Sequence, residues 1–514
     1  MQHVLIASPV KQRPAILQEF LACLQRLNRD GLLLDYVFVD DNAEESPLLQ
    51  RFASENAGVR IIKGEEKASI YHCNEHTHHW QEDVMWRVAR YKDLFINIAR
   101  EKEYDYLLLV DSDLALNPKT ITHLVDLGKD IISEVFWTKW EQELVPLPQV
   151  WLGGQYRLHE AKRGEALTDE IVGRRQREFI EQLKCPGTYK VGGLGACTLI
   201  SKQALRSGVS FHEIYNLDLI GEDRHFCVRA AVLGFDLYAD TCYPPYHMYR
   251  ESELPGLARH KELYNYDGAR PEPKLTLAML VRNEADRYLK QVLGHAVQYV
   301  DQVVILDDAS EDNTVELCQT YLNSIPHRVS INPQPGFHNE ITLRKQLWDM
   351  AVATNPDWIL ILDADELFEA RAMHELRPLL ASPEVDVYTF RLYDMWTEDQ
   401  YREDTYWQAH RFFRPFLVRY KPGFPCVWHE VAQHCGRFPV NIAELNVAKS
   451  ILRVKHFGWV RPEDRLNKFY RYRRLDPDGR YGIKEQYDSI LDPKPKLVPW
   501  GGSGLDQLKL NIEV

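Results

Sequence analysis

The 514-residue sequence lacks the marks of several protein classes. Its nine cysteines are odd in number and form no C-x-x-C pair, which argues against a disulfide framework or a cysteine zinc site and favours buried thiols in a reducing compartment. No signal peptide is recognisable, and no apolar run is long enough to span a bilayer. These absences predict a cytoplasmic protein without a transmembrane segment, and they leave peripheral membrane contact open.

Positive charge is also scarce, because 62 Lys and Arg face 75 Asp and Glu and the net charge is −13. This balance argues against nucleic acid as the main partner. It does not oppose small phosphorylated ligands, which a metal ion and helix termini bind locally. The glycines of residues 191–197 are not followed by Lys and Ser or Thr, so they form no phosphate loop. We interpret them as a floor under a ligand or as packing residues.

One kind of stretch occurs twice in the chain. Residues 107–113 and 358–366 are both apolar runs that stop on two aspartates one residue apart, Asp111 with Asp113 and Asp363 with Asp365. A continuous apolar run of this length is typical of a strand buried on both faces in a parallel sheet. Because ligands of open α/β sheets gather at the carboxyl ends of the strands, each aspartate pair is expected at a binding edge.

Carboxylates at this spacing can reach one hard divalent cation, since Mg²⁺ and Mn²⁺ prefer oxygen ligands and Mg²⁺ often binds substrate phosphates as well. Such a metal neutralises a diphosphate leaving group as the bond to it breaks. For a single copy, aspartates that cap a helix or lie solvated in a turn explain the pattern equally well. Two copies with the same preceding pattern favour the metal interpretation.

Strands and helices alternate in both halves, which predicts an α/β fold with mostly parallel sheets and crossover helices. The alternation restarts with a strand at 274–281, after a polar segment that contains prolines and glycines. Residue Trp500 is a predicted anchor for the last, irregular segment. The predicted organisation is a first domain at 1–250, a linker at 251–273, a second domain at 274–475 and a C-terminal extension at 476–514.

Further acids and histidines stand where chemistry would need them. Glu222 and Asp223 open a predicted helix, where they could serve as a general base or simply complement the helix dipole. His247 follows a predicted strand, as a metal ligand or as an ordinary hydrogen-bonded histidine. The histidine-rich segment 65–80 matches no zinc spacing beyond His72 and His76, so we predict an exposed loop there.

Both halves resemble nucleotide-sugar-dependent glycosyltransferases of the GT-A fold, which is Rossmann-like, and are close to family 2. The second half carries the resemblance through residues 280–284, 304–314 and 360–366, in the family's order and spacing. It is especially similar to bacterial lipopolysaccharide-core glucosyltransferases through His429-Glu430 and His456. The first half resembles the family through four features, which are Asp40-Asp41, Asp111-Ser112-Asp113, Gly221-Glu222-Asp223 and His247. It has Ser8-Pro9 where the family has Asn-Glu.

The resemblance implies a role for each matching residue. Asp41 and Asp308 would hold the base or ribose of the nucleotide, and Asp111 and Asp363 the metal–diphosphate. The implied metal ligands are Asp113 and His247 in the first domain and Asp365 and His456 in the second, around one Mn²⁺ or Mg²⁺ per domain. The implied bases are Asp223 or Glu222, and Glu430. Further predicted nucleotide-sugar contacts are Arg90, Arg282, Glu284 and Arg344.

The resemblance therefore implies a bifunctional, metal-dependent hexosyltransferase. It would move sugars from nucleotide-diphosphate donors to hydroxyls of a glycan or glycolipid acceptor, with inversion, in the synthesis of a surface polysaccharide or glycoconjugate. The alternative is one active domain beside a degenerate domain that binds glycan or has an architectural role. A sugar nucleotidyltransferase is disfavoured, because residues 8–14 and 282–287 lack a glycine-rich first loop with a following Arg and Lys.

Overall fold

The computed structural model describes residues 1–65, 72–73, 78–79, 81–140, 145–218, 221–268, 271–382, 384–479 and 482–501. The chain divides into two compact units, Met1–Arg270 and Pro271–Val514. None of the helices in the described part of the chain combines the length and the apolarity of a membrane span. Eight cysteines have described side chains; they are free thiols, and all of them except Cys426 are buried.

The first unit is built on an eight-stranded sheet. Its strands are β1 (Gln2–Val10), β2 (Leu32–Asp40), β3 (Val59–Lys63), β4 (Tyr106–Val110), β5 (Ile131–Glu134), β6 (Thr188–Val191), β7 (Cys197–Ser201) and β8 (Leu237–Asp240). Their order across the sheet is β3-β2-β1-β4-β7-β5-β8-β6. The central strands are apolar along their length and are covered on both faces, as parallel strands with crossover helices must be.

Helices lie between these strands or follow them along the chain. They are α1 (Pro14–Gln25), α2 (Pro47–Glu55), α3 (Glu82–Glu101), α4 (Thr120–Asp126), α5 (Asp169–Leu183), α6 (Lys202–Arg206), α7 (Glu222–Val232) and α8 (Leu254–Leu263). In α1, proline stands in the first turn, where no backbone donor is needed, and Leu17, Phe20 and Leu24 recur at helical spacing and are buried.

The second unit repeats this plan with a second eight-stranded sheet. Its strands are β9 (Leu275–Val281), β10 (Gln302–Asp307), β11 (His327–Ile331), β12 (Trp358–Ile361), β13 (Glu366–Phe368), β14 (Val387–Asp394), β15 (Phe413–Arg419) and β16 (Val447–His456). Its helices are α9 (Leu289–Ala296), α10 (Thr314–Tyr321), α11 (Glu340–Val352), α12 (Ala372–Ala381), α13 (Pro462–Leu475) and α14 (Lys484–Ser489). The strand order is β11-β10-β9-β12-β15-β14-β16-β13.

The two sheets share one pattern of strand directions. Each sheet has seven pairs of neighbouring strands. Counted from β3 in the first sheet and from β11 in the second, the first three pairs are parallel, the next two antiparallel, the sixth parallel and the seventh antiparallel. In both units the aspartate pair follows the strand that lies beside the unit's first strand. This strand is β4, beside β1, in the first unit and β12, beside β9, in the second. The predicted α/β class with mostly parallel sheets is confirmed.

Short segments complete the two units. The two-stranded ladders pair His72–Cys73 with His78–His79, Leu114–Ala115 with Tyr246–His247, Trp137–Thr138 with Leu147–Pro148, Val150–Trp151 with Gly193–Leu194, and Gln400–Arg402 with Leu497–Pro499. Single 3-10 turns lie at Glu251–Glu253, Phe337–Asn339, Ala409–Arg411 and Val440–Glu444. The histidine-rich segment 65–80 was predicted as an exposed loop. Apart from residue 65 and the backbone of residues 72–73 and 78–79, it lies outside the described residues.

The structure can be compared with three further predictions, those for the linker, the glycine-containing segment and Trp500. Residues 251–268, predicted as linker, contain α8, whose Leu257 lies in the first core; a proline in the first turn begins this helix instead of breaking the chain. Among the glycines at 191–197, Gly193 serves packing, because a Cβ there would overlap the indole of Trp151, whereas Gly195 lines a small cavity together with Asp111 and Asp223. In the extension, Trp500 lies 3.9 Å from the Arg453 guanidinium, as an anchor would.

Candidate active sites

In the first unit, Asp113 and His247 meet although 133 residues separate them. The ladder that joins Leu114–Ala115 to Tyr246–His247 sets His247 opposite Leu114. His247 Nε2 lies 3.5 Å from Asp113 Oδ2, and both side chains are mostly buried. His247 Nδ1 lies 2.9 Å from Thr138 Oγ1, and this contact fixes the ring. One oxygen and one nitrogen donor at this separation fit two ligands of a single Mn²⁺ or Mg²⁺.

A buried lysine joins the carboxylates on the other side of this site. Lys92 Nζ, on α3, donates to Glu222 Oε1 at 2.9 Å and to Asp223 Oδ1 at 2.8 Å, at the start of α7. Asp111 lines the same small cavity as Lys92 and Asp223. The structure thus brings the predicted diphosphate aspartate and both predicted bases together around one ammonium.

Burial and charge shift the pKa values in this cluster in opposite directions. Burial raises the pKa of Asp223 to about 6, although Lys92 opposes the change. Burial also raises the pKa of Asp111 well above its ordinary value, again against Lys92 and with a contribution from Asp113. Burial would lower the pKa of Lys92, but Asp223 and Glu222 raise it well above its ordinary value. Lys92 is therefore charged at neutral pH, and Asp223 is poised to accept a proton.

A cavity of about 310 Å³ extends from Asp113 to Asp41 at the end of β2. Asp41 accepts a hydrogen bond from the Tyr91 hydroxyl at 2.8 Å and lies 3.4 Å from the Arg87 guanidinium. The side chains of Asp41, Arg87, Tyr91 and Asp113 all line this cavity, and so does that of Glu222.

Arg90, a predicted nucleotide contact, does not line this cavity. It lies on the outer face of α3, half exposed, and its guanidinium bonds both carboxylate oxygens of Glu65 at 2.7 and 2.8 Å. Arg87, three residues earlier and buried, is the arginine that lines the cavity.

In the second unit, His456 lies between two aspartates. His456 Nε2 is 3.6 Å from Asp365 Oδ2, and His456 Nδ1 is 2.8 Å from Asp394 Oδ1. The Trp459 indole also donates to Asp394, at 3.1 Å. A carboxylate behind the histidine fixes the orientation of the ring, as it does in many metal sites.

Lys468 adds a cation to this pair. Lys468 lies on α13, and its Nζ is 3.5 Å from Asp365 Oδ2, the oxygen that faces His456. The Arg287 guanidinium is 3.9 Å from the same oxygen. Burial would raise the pKa of Asp365, but Lys468 and His456 hold it well below its ordinary value. Burial would lower the pKa of His456, but Asp365 and Asp394 raise it to about 10. The donor types suit a metal, yet an ammonium already lies beside the same carboxylate.

Asp363, the first aspartate of this pair, is held by two arginines. Both terminal nitrogens of Arg344 lie 3.3 Å from Asp363 Oδ1, and Arg437 Nη2 lies 3.1 Å from Oδ2. Arg437 also forms a two-point ion pair with the buried Glu366. Arg344 therefore lies next to the aspartate pair, and its contact with a nucleotide sugar stays a prediction.

The remaining predicted contacts of the second unit surround the ends of β9 and β10. Asp308 accepts backbone hydrogen bonds from Gly336 at 2.7 Å and Phe337 at 3.1 Å, and Arg282 approaches it at 3.8 Å. Glu284 accepts a hydrogen bond from Arg287 at 2.8 Å, and burial raises its pKa to about 7 against Arg287. Asp308 thus fixes a turn, in addition to any contact with a nucleotide.

Glu430, the predicted base of this unit, lies at the surface. It is 64% exposed and pairs with Lys345 at 2.6 Å. Its described contacts do not include Asp363 or Asp365. In the first unit, by contrast, the predicted bases and the first aspartate share one buried cluster.

Sequence reasoning missed most of the cations in these sites. The largest omissions are Lys92, Arg87, Arg287, Arg437 and Lys468. A comparison of the two halves could have found Lys92, because it precedes Asp111 by the same spacing at which Arg344 precedes Asp363. Lys468 and Arg437 come from distant segments that follow no shared motif.

Comparison with known proteins finds a family match in the second unit. Residues 276–435 match the family model described as Glycosyl transferase family 2. An uncharacterized protein of Mycobacterium tuberculosis is 28% identical over 224 residues, which are 42% of this chain and 54% of that protein. The chain therefore matches about half the length of this curated relative.

Two further similarities are more limited. An uncharacterized glycosyltransferase of Rickettsia felis is 27% identical over 143 residues, which are 28% of this chain and 45% of that protein. The crystal structure of TarS from S. aureus is 16% identical, covers 42% of each chain and gives a TM-score of 0.28, too low to support an inference. The evidence for a family comes from the sequence match, in which residues 276–435 of this chain are similar to the Glycosyl transferase family 2 model.

Proposed function

We propose that this chain is a glycosyltransferase with two active sites, each of which moves a sugar from a nucleotide-diphosphate donor to a hydroxyl of a glycan or glycolipid acceptor. One observation carries the proposal. In both units the second aspartate of the pair lies beside a histidine from the end of the unit, at 3.5 Å for Asp113 and His247 and at 3.6 Å for Asp365 and His456. A shared sheet topology delivers both pairs to the carboxyl end of a central strand.

The first unit has the groups that a nucleotide-sugar donor needs. The cavity from Asp41 to Asp113 would hold the nucleotide, with Arg87 and Tyr91 fixing Asp41. Asp113 and His247 would hold Mn²⁺ or Mg²⁺, and when bound such an ion neutralises the negative charge of the diphosphate.

The reaction that these groups support is a single displacement. The oxygen of the acceptor hydroxyl forms a bond to the anomeric carbon, while the bond from that carbon to the diphosphate oxygen breaks and its electron pair leaves with the diphosphate. In the first unit Asp223 accepts the hydroxyl proton, and one attack from the face opposite the leaving group inverts the anomeric centre. Such general-base assistance accelerates a reaction by about 10² to 10⁴.

In the second unit Arg344 and Arg437 hold Asp363 in place, and Arg282 and Glu284 border the nucleotide side. Glu430 would serve as the base there, after release from Lys345 on acceptor binding. The product of the two steps would be a segment of a surface polysaccharide or glycoconjugate.

The test is release of nucleoside diphosphate from a panel of UDP-, GDP- and dTDP-sugars in the presence of Mn²⁺ and candidate acceptors. We expect the wild-type chain to release diphosphate with at least one donor and the double variant Asp113→Asn/Asp365→Asn to lose this activity. Asp236→Asn, which removes one partner of the exposed Lys190–Asp236 ion pair, is the control and should retain full activity. Full activity in the double variant would contradict the proposal.

A second candidate function has one active site in the second unit and a first unit that only binds glycan. The family match supports it, because the matched segment, residues 276–435, lies in the second unit. Calorimetric titration of the Asp365→Asn and Asp113→Asn chains with the same nucleotides and Mn²⁺ separates the two. Loss of all nucleotide binding in Asp365→Asn, with none lost in Asp113→Asn, would favour the single-site enzyme.

A further inference from the structure

The position of Lys468 is set by the way α13 is attached to the segment between β9 and α9. Arg461, before the helix, donates to the carbonyl of Asp286 at 2.6 Å, and Asp464, in its first turn, lies 3.4 Å from Arg287. Lys468 follows Asp464 by one helical turn and therefore faces the same side. The attachment of the helix thus directs the lysine towards Asp365.

The ammonium itself is restrained from several sides. Lys468 Nζ lies 3.5 Å from Asp365 Oδ2 and 4.4 Å above the centre of the Trp459 ring, and the side chain is 14% exposed. Gly458 closes the site, because a Cβ there would overlap Lys468 Nζ, Asp365 Oδ2 and His456 Nε2 together. A lysine in this setting is a fixed part of the site and not a mobile surface side chain.

The lysine competes with a divalent ion for one carboxylate oxygen. A metal held by Asp365 Oδ2 and His456 Nε2 would bind the oxygen that Lys468 already neutralises, and its charge would repel the nearby ammonium. An ammonium also supplies what a metal would supply here, a compact positive charge with donors for phosphate oxygens. The helix that follows the histidine of the first unit carries Lys261, but this lysine pairs with Glu19 at 2.6 Å.

We infer that Lys468 replaces the divalent cation in the second unit, so that this site binds and turns over its nucleotide-diphosphate donor without a metal. The inference rests on the proposed glycosyltransferase function. Lys468 neutralises the diphosphate while Arg287 and His456 hold Asp365 in place. The site would then differ from the expectation of one metal ion per unit.

The test uses the full chain with Asp113→Ala, which removes the proposed metal ligand of the first unit. Binding of UDP, GDP and dTDP is measured by calorimetry in EDTA and in excess Mn²⁺. We expect at least one nucleotide to bind about equally well under both conditions. Lys468→Gln should weaken binding in EDTA by about 10- to 100-fold, since a charged hydrogen bond is lost, and Mn²⁺ should restore part of it. A purely structural lysine would give no such rescue by metal.

Two controls and three outcomes make the test decisive. Lys468→Arg should keep most of the binding in EDTA because it keeps the charge, and Lys261→Gln should change nothing. Binding by the parent only in Mn²⁺, or unchanged binding by Lys468→Gln in EDTA, would overturn the inference and leave the proposed function standing. Absence of nucleotide binding under both conditions would instead overturn the proposed function itself.

Discussion

Single residues distinguish the two sites through the way their carboxylates are neutralised. In the first unit Lys92 bonds the two acids that open α7, and Asp113 lies against His247. In the second unit Arg344, Arg437 and Lys468 each contact an aspartate of the pair. A buried carboxylate without such a partner would take up a proton, so these cations determine which acids stay ionised for catalysis.

The charge of Lys92 should set the pH dependence of the first site. Asp223 must be ionised to accept a proton and has a pKa of about 6, so kcat/KM of the first transfer step should rise with pH up to about 6 and then level off. Lys92 favours the ionised form. Lys92→Met should therefore raise the pKa of Asp223 and move the rising limb to higher pH.

The measurement is the pH profile of kcat/KM for both proteins. Lys190→Met, which removes an exposed lysine paired with Asp236, should leave the profile in place. A limb that stays at its original pH in Lys92→Met would show that Asp223 is not the base.

Asp394 should act in the second site through His456. The isosteric change Asp394→Asn removes the charge behind the imidazole, and loss of a hydrogen bond to a charged group costs about 10- to 100-fold. We expect a decrease of this size in the second transfer step, measured as kcat. The far-ultraviolet spectrum and the first transfer step should not change, and an unaltered second step would contradict the assigned role.

At the level of elements, strand ends supply the acids and helices supply the cations. The apolar runs before both aspartate pairs were sufficient to predict β4, β12 and the edge at which they end. The sequence did not predict that residues 254–263 form a helix, because their proline and glycine also suit a linker. Lys468 could not be predicted either, because its direction depends on how α13 attaches through Asp464 and Arg287. The two candidate bases, Glu222 and Asp223, do stand at the start of a helix, α7, and their role in proton transfer stays a prediction.

Burial along the strands should control the stability of the first unit. Leu108, in the middle of β4, is fully buried, whereas Leu33, in β2 of the same sheet, is 51% exposed. Leu108→Ala should lower the free energy of unfolding by about 2–5 kcal/mol, because it removes buried methyl groups and leaves a cavity. Leu33→Ala should change it by no more than about 0.5 kcal/mol.

Urea unfolding of the full chain, followed by a signal from the first unit, checks both values. Equal losses from the two variants would show that β4 does not form the centre of this core.

The whole molecule consists of two units that share the same sheet topology. Each unit has an aspartate pair, a histidine and a set of cations. The segment that matches the family 2 model, residues 276–435, lies in the second unit, and the first unit repeats the strand directions of that unit. Duplicated architecture alone does not require duplicated activity. The central claim is that both units transfer sugar, because both keep an aspartate beside a histidine at a strand end.

The most direct test of this claim is to assay Asp113→Ala and Asp365→Ala separately against UDP-, GDP- and dTDP-sugars, with mass spectrometry of the products. Each variant should lose one transfer step and retain the other, so that the two product patterns are complementary. A variant that retains every transfer step, or one that loses both, would contradict the assignment of two independent active sites.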